Sequence, residues 1–107
     1  MTAADRARVL VALSLRPGRR NGIGARDLAQ VLGLSMRELR AAISELRMEG
    51  IAVCGTPDTG YFIAATPEEL EETCAFLRDR ALHSLTLESK LRHVPLPELL
   101  GQLRLKT

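Results

Sequence analysis

The chain has 107 residues, 46% apolar and 26% charged, with no Trp, one Tyr, two Phe and a formal net charge of +2. That length supports one small domain plus an extension, and the scarcity of large aromatics argues against a ligand-binding cage. A net charge of +2 is modest for a nucleic-acid binder, so any such affinity has to come from placement of charge or from doubling in a dimer.

Residues Thr2 to Leu15 read as a first helix. Ala7, Leu10, Val11 and Ser14 share a face, Thr2 suits the cap, and Asp5 lies in the first turn, where a negative charge complements the helix dipole. The segment Arg16-Pro17-Gly18-Arg19-Arg20-Asn21-Gly22 follows as a flexible, glycine-flanked loop. Its arginines, Arg19 and Arg20 above all, are candidates to track phosphates, and an ordinary solvated loop is the alternative. Ile23 is placed to add a short strand to a later hairpin.

The stretch Ala25 to Ile51 reads as two short helices joined by a tight turn. Gly33, four residues after Ala29, supplies the left-handed stop, and a small residue at Ala29 allows a close helix crossing. Ser35 caps the second helix and Glu38 completes a capping box. At about 100° per residue, Leu39, Ala42, Ile43 and Leu46 form an apolar stripe, while Glu38, Glu45 and Glu49 fall on a flank and Arg37, Arg40, Ser44 and Arg47 on the far side. Such segregation favours a DNA-reading face over a merely solvated one, and arginine can grip guanine O6 and N7 with two hydrogen bonds. The candidate DNA contacts are therefore Ser35, Met36, Arg37, Arg40, Ser44 and Arg47 on helix 35–49, with Arg19 and Arg20 outside it.

After Gly50 the period changes. Ile51-Ala52-Val53-Cys54 and Tyr61-Phe62-Ile63-Ala64 read as two strands joined by the turn-rich Gly55-Thr56-Pro57-Asp58-Thr59-Gly60. With Leu28-Ala29, Leu32-Gly33-Leu34-Ser35, Arg37, Leu39-Arg40, Ile43, Leu46-Arg47, Gly50-Ile51 and Gly60-Tyr61, the chain resembles the N-terminal winged-helix domains of biotin-repressor-type regulators and small phage and prophage proteins of that kind. The resemblance covers roughly residues 3 to 65 and implies a DNA-binding or, in some winged helices, a protein-binding module. One departure stands out: DNA-binding members often offer a basic residue from the wing, whereas this wing has none and carries Asp58.

From residue 66 the pattern is that of a single long helix, with Thr66 as cap, Pro67 at the first helical position, Glu69 closing a capping box and no breaker before Pro95. Leu70, Cys74, Leu77, Ala81, Leu85 and Leu91 line one broad stripe on a rod of roughly 40 Å, which suggests pairing with a second copy. Folding back onto the N-terminal core is the alternative. Residues 95–105 contain five leucines, a segment to dock on the dimer or to engage another protein.

The expected fold is mainly α with a small β-hairpin: a winged helix-turn-helix domain over residues 1–65, then a long helix and leucine-rich tail over residues 66–107. Charge divides along it, since residues 1–54 hold nine Arg against five acids, net +4, and residues 55–107 hold six basic against eight acidic groups, net −2. Cys54 and Cys74 lack flanking ligands and His83 and His93 lack metal spacing, so no zinc site or other cofactor is expected and both cysteines read as reduced core thiols. No nucleophile triad, phosphate-binding glycine loop or catalytic carboxylate pair is present, and no secretory signal or membrane-spanning run. The expected function is a non-enzymatic, cytoplasmic, sequence-specific double-stranded DNA-binding regulator, dimeric and phage-like. The alternative is a winged-helix adaptor or inhibitor acting on a protein target.

Overall fold

The computed structural model describes residues 2–103. Its elements are α1 (Ala3–Ser14), a short 3-10 turn (Arg19–Asn21), α2 (Ala25–Leu32), α3 (Met36–Met48), strands β1 (Val53–Thr56) and β2 (Gly60–Ile63), the long α4 (Pro67–Arg92) and α5 (Leu96–Leu103). The chain is mainly helical with one two-stranded antiparallel hairpin, the expected fold class. Contacts divide it into Met1–Thr73 and Cys74–Thr107, so the boundary falls inside α4 rather than ahead of it at residue 66.

In the first unit α1, α2, α3 and β1 close around Val9, Leu13, Leu28, Ala29, Leu39, Ala42, Ile43, Leu46 and Val53. The helices begin and end where their local chemistry dictates. Thr2 and Asp5 form a reciprocal capping box on α1, and Ser35 and Glu38 form another on α3. Gly33 ends α2 at φ +67, a conformation that a side chain would strain, and Leu34 N–H closes the turn onto Ala29 carbonyl at 2.9 Å.

The apolar stripe of α3 is buried as its period predicts, but the inner face of α1 is not the one expected. Val9 and Leu13 are buried, while Val11 is 63% exposed. This helix is apolar nearly all round, so its period singles out no face; of the expected face, Leu10 is partly buried against the same core. An Arg6–Glu49 ion pair ties the same helix to the end of α3.

The strands lie two residues later than 51–54 and one earlier than 61–64, paired Val53↔Ile63 through Thr56↔Gly60. Residues 50 and 51 are consumed in leaving α3, with Gly50 N–H bonded to Arg47 carbonyl and Ile51 N–H to Leu46 carbonyl. Ile23 joins the sheet as expected through a two-bond bridge to Tyr61. Segment 16–22 is not a flexible loop: Gly18 N–H donates to Ile63 carbonyl at 2.8 Å, Ile63 N–H to Arg16 carbonyl at 3.0 Å, and the segment winds into the 3-10 turn. Gly60, at φ +72, lets these backbones meet, since a Cβ there would lie 2.6 Å from the Ile23 carbonyl.

The head of α4 belongs to this unit. Thr66 Oγ1 accepts from Glu69 N–H at 3.2 Å as a cap should, but the Glu69 carboxylate reaches back past the cap to the N–H of Ala65, one residue before it. Thr73 is buried and its hydroxyl accepts from Gly55 N–H at 3.2 Å, which anchors the helix beside the hairpin.

In the second unit α4 runs on to Arg92 and turns at His93, which holds φ +57. Val94 N–H bonds to Ser89 carbonyl at 3.0 Å across that turn, and α5 follows with Leu99 buried. The leucine-rich segment is thus helical through Leu103, while Leu105 lies outside the described residues. Cys74 is exposed, whereas Cys54 is a buried thiol; the expectation of two core thiols holds only for Cys54.

Candidate nucleic-acid interface

The outward face of α3 is set by what the inward face buries. With Leu39, Ala42, Ile43 and Leu46 fixed in the core, Arg37, Arg40, Ala41, Ser44 and Met48 are turned to solvent. Among the described residues no ion pair engages Arg37 or Arg40. Ala41 and Ser44 are short, which leaves the guanidinium groups standing clear of the helix surface. Glu45 and Glu38 flank this face. The Ser35 backbone N–H donates to the Glu38 carboxylate at 3.0 Å, and this above all holds its carboxyl below the usual carboxylate range.

The remaining candidates divide into outward-facing groups and groups tied into the fold. The Ser35 hydroxyl accepts from Glu38 N–H at 3.0 Å as the helix cap, and Met36 is partly buried against the core, so neither stands out from the helix as Arg37 does. Arg47 does not lie on the exposed basic face. Its Nε donates to Val53 carbonyl at 2.8 Å, its guanidinium carbon sits 5.9 Å from the centre of the Tyr61 ring, and the side chain is half-buried. Arg47 lies about 80° from Arg37 on the helix, close enough to the rim for the hairpin to capture it.

Arg19 and Arg20 diverge as well. Arg19 forms an ion pair with Glu72, and its backbone N–H donates to Glu69 at 2.8 Å. Arg20 is exposed and unpaired among the described residues. Glu69, with N–H donors from Arg19 and then Ala65, is held below the usual carboxylate range. The hairpin tip, Pro57 to Thr59, presents Asp58 and no cation. Sequence reasoning missed this fastening because Arg19 and Glu72 are far apart in the chain and no local pattern links them.

The expected self-association stripe on α4 is open to solvent along much of its length. Leu70 and Leu77 are 42% and 40% exposed, Cys74 and Ala81 are exposed, Leu85 is half-buried and Leu91 is 82% exposed. Glu88 lies about five turns beyond Leu70 and therefore at the same azimuth, where it pairs with Arg92 at 2.8 Å. The stripe is thus apolar from Leu70 to Leu85 and charged before Leu91.

Among the described residues, no group of three or more His, Cys, Asp or Glu side chains is placed to hold a metal ion, and no helix is long and apolar enough to cross a membrane. No family model, curated protein or solved structure matches the chain.

Proposed function

We propose that the chain is a sequence-specific double-stranded DNA-binding protein of the winged-helix kind, a non-enzymatic, cofactor-free cytoplasmic regulator of phage or prophage type, which reads the major groove with helix 35–49. The observation that carries this reading is the outward face of α3. Arg37 and Arg40 project beside the short side chains of Ala41 and Ser44, on a helix whose opposite face is locked by four buried residues. A rigid helix with bidentate donors on one side suits base-edge contacts, and the small residues let it approach the groove floor.

Pairing through α4 is the second part of the proposal. Its support is the exposed run Leu70, Cys74, Leu77, Ala81, with Leu85 beyond it, which a second copy covers isologously and which doubles the modest charge available for phosphate contact. Light scattering across a dilution series checks this: a mass of twice 11.7 kDa that Leu77→Glu halves supports pairing, and a monomer at high concentration removes it.

One observation favours the protein-binding reading, namely an acidic hairpin tip with the neighbouring Arg19 held by Glu72. Fluorescence anisotropy of a labelled random-sequence duplex at low and physiological salt separates the two. Salt-sensitive binding that Arg37→Ala/Arg40→Ala abolishes supports the DNA reading. Absence of binding at low salt, or indifference to both substitutions, transfers the proposal to a protein target. Arg47 is left intact because its removal disturbs the fold.

A further inference from the structure

Arg19 occupies a distinctive position. The 3-10 turn that carries it runs alongside the hairpin: the Ile23–Tyr61 bridge and the close approach of Gly22 to the Thr59 carbonyl bring it against the hairpin tip. That tip has no cation of its own. A duplex seated on α3 with the hairpin at its backbone would therefore draw its phosphate contact from this turn. Yet the Arg19 guanidinium is already taken by Glu72, and its backbone is pinned by Glu69.

We infer that Glu72 is a built-in phosphate competitor: it holds Arg19 in the free protein and yields it to a backbone phosphate oxygen when DNA binds. This rests on the DNA-binding reading above. Carboxylate and phosphate both offer charged acceptor oxygens to a guanidinium, so a backbone phosphate can replace Glu72 as the partner of Arg19. The pair is open to water, with the Arg19 and Glu72 side chains 48% and 50% exposed, which keeps it weak enough to be displaced. Glu69 does not take part in the exchange, because its carboxylate is committed to the backbone N–H groups of Arg19 and Ala65 and keeps the turn in place while the side chain swings. The contact thus sets a threshold: Arg19 contributes little net attraction to DNA until its restraint is removed.

The test compares Glu72→Gln with Glu71→Gln, which removes the same charge from the same helical turn without touching the Arg19 pair. Each is made in the full chain, with and without Arg19→Ala, and is titrated with a random-sequence duplex over a salt series. Glu72→Gln is expected to tighten binding about threefold to tenfold and to steepen the slope of log K against log salt by up to about 0.9, the equivalent of one phosphate. Glu71→Gln is expected to change affinity by less than about twofold, and the Glu72→Gln gain is expected to vanish beside Arg19→Ala. Equal effects of the two Gln variants, or a gain that survives Arg19→Ala, overturns the inference while leaving the DNA reading intact. Silence of both wild type and Glu72→Gln overturns both.

Discussion

Two helices of this chain solve opposite problems. α3, 13 residues long, buries Leu39, Ala42, Ile43 and Leu46, so packing holds it and its other face is left for contact. α4, at 26 residues, buries only Thr73 and Ser89, both polar, and exposes leucines on several sides. Helix α3 is specified by a core and α4 by its ends: Thr66 and Glu69 at its head, the Glu88–Arg92 pair near its foot. A helix held this way keeps unspent apolar surface, and the proposed pairing of two copies rests on that surface.

Truncation breaks that comparison most sharply. Leu46 is fully buried, and Leu46→Ala is expected to cost about 2–5 kcal/mol in urea denaturation. Leu77→Ala, at a site 40% exposed, is expected to change the stability of dilute protein by less than about 1 kcal/mol and to lower Tm only at concentrations where copies pair. Equal losses at both sites in dilute protein would mean that α4 is packed as tightly as α3.

Arg47 marks the edge between the two faces of α3. Its replacement by Ala removes the hydrogen bond to Val53 carbonyl and the contact with the Tyr61 ring, so a loss of about 1–3 kcal/mol is expected. Arg37→Ala, on the exposed face, is expected to stay within about 0.5 kcal/mol of wild type. Thermal denaturation of both variants decides whether the arginines divide into fold and surface as described.

Much of this architecture is legible in the sequence wherever the signal is local. Gly33, the Ser35–Glu38 box, the α3 stripe and Thr66 each depend on residues within one or two turns, and each appears where its spacing puts it. What was not legible depends on partners distant in the chain. The direction of Arg47 is decided by Val53 and Tyr61, the fastening of Arg19 by Glu72, and the inner face of α1 by competition among many apolar residues that the core resolves. The hairpin register slipped because the exit from α3 used residues that a propensity reading assigns to a strand. Cys74 sits in an apolar run and is exposed because a run on a long helix need not face a core.

The caps supply a pH dependence with a definite sign. Asp5 is lowered by the Thr2 backbone N–H first, with the Thr2 hydroxyl and Arg8 adding to it, Glu38 by the Ser35 N–H, and Glu69 by the Arg19 N–H. A carboxyl lowered on folding stabilises the native chain above its ordinary value and loses that contribution as pH falls through its folded value. Stability is therefore expected to be flat above about pH 5 and to decline below about pH 4. Glu38→Gln should blunt the decline and also lower the plateau. An acid limb unchanged in a Glu38→Gln, Asp5→Asn double variant would show that the caps do not carry it.

The smallest effect tests the end of α4 alone. His93 adopts φ +57 as a non-glycine residue, at the point where the Val94 N–H closes onto the Ser89 carbonyl. A side chain in this left-handed conformation costs about 1 kcal/mol, and glycine relieves it while adding some entropy to the unfolded chain. His93→Gly is therefore expected to stabilise by about 0.5 kcal/mol, seen as a rise in the urea midpoint without a change in slope. His93→Val, β-branched and poorly suited to positive φ, is expected to destabilise by more than that. The pair of variants isolates the turn from the rest of α4: opposite signs mean that the helix end is locally specified, as its head is, whereas two equal losses mean that the imidazole itself makes a contact that the fold depends on.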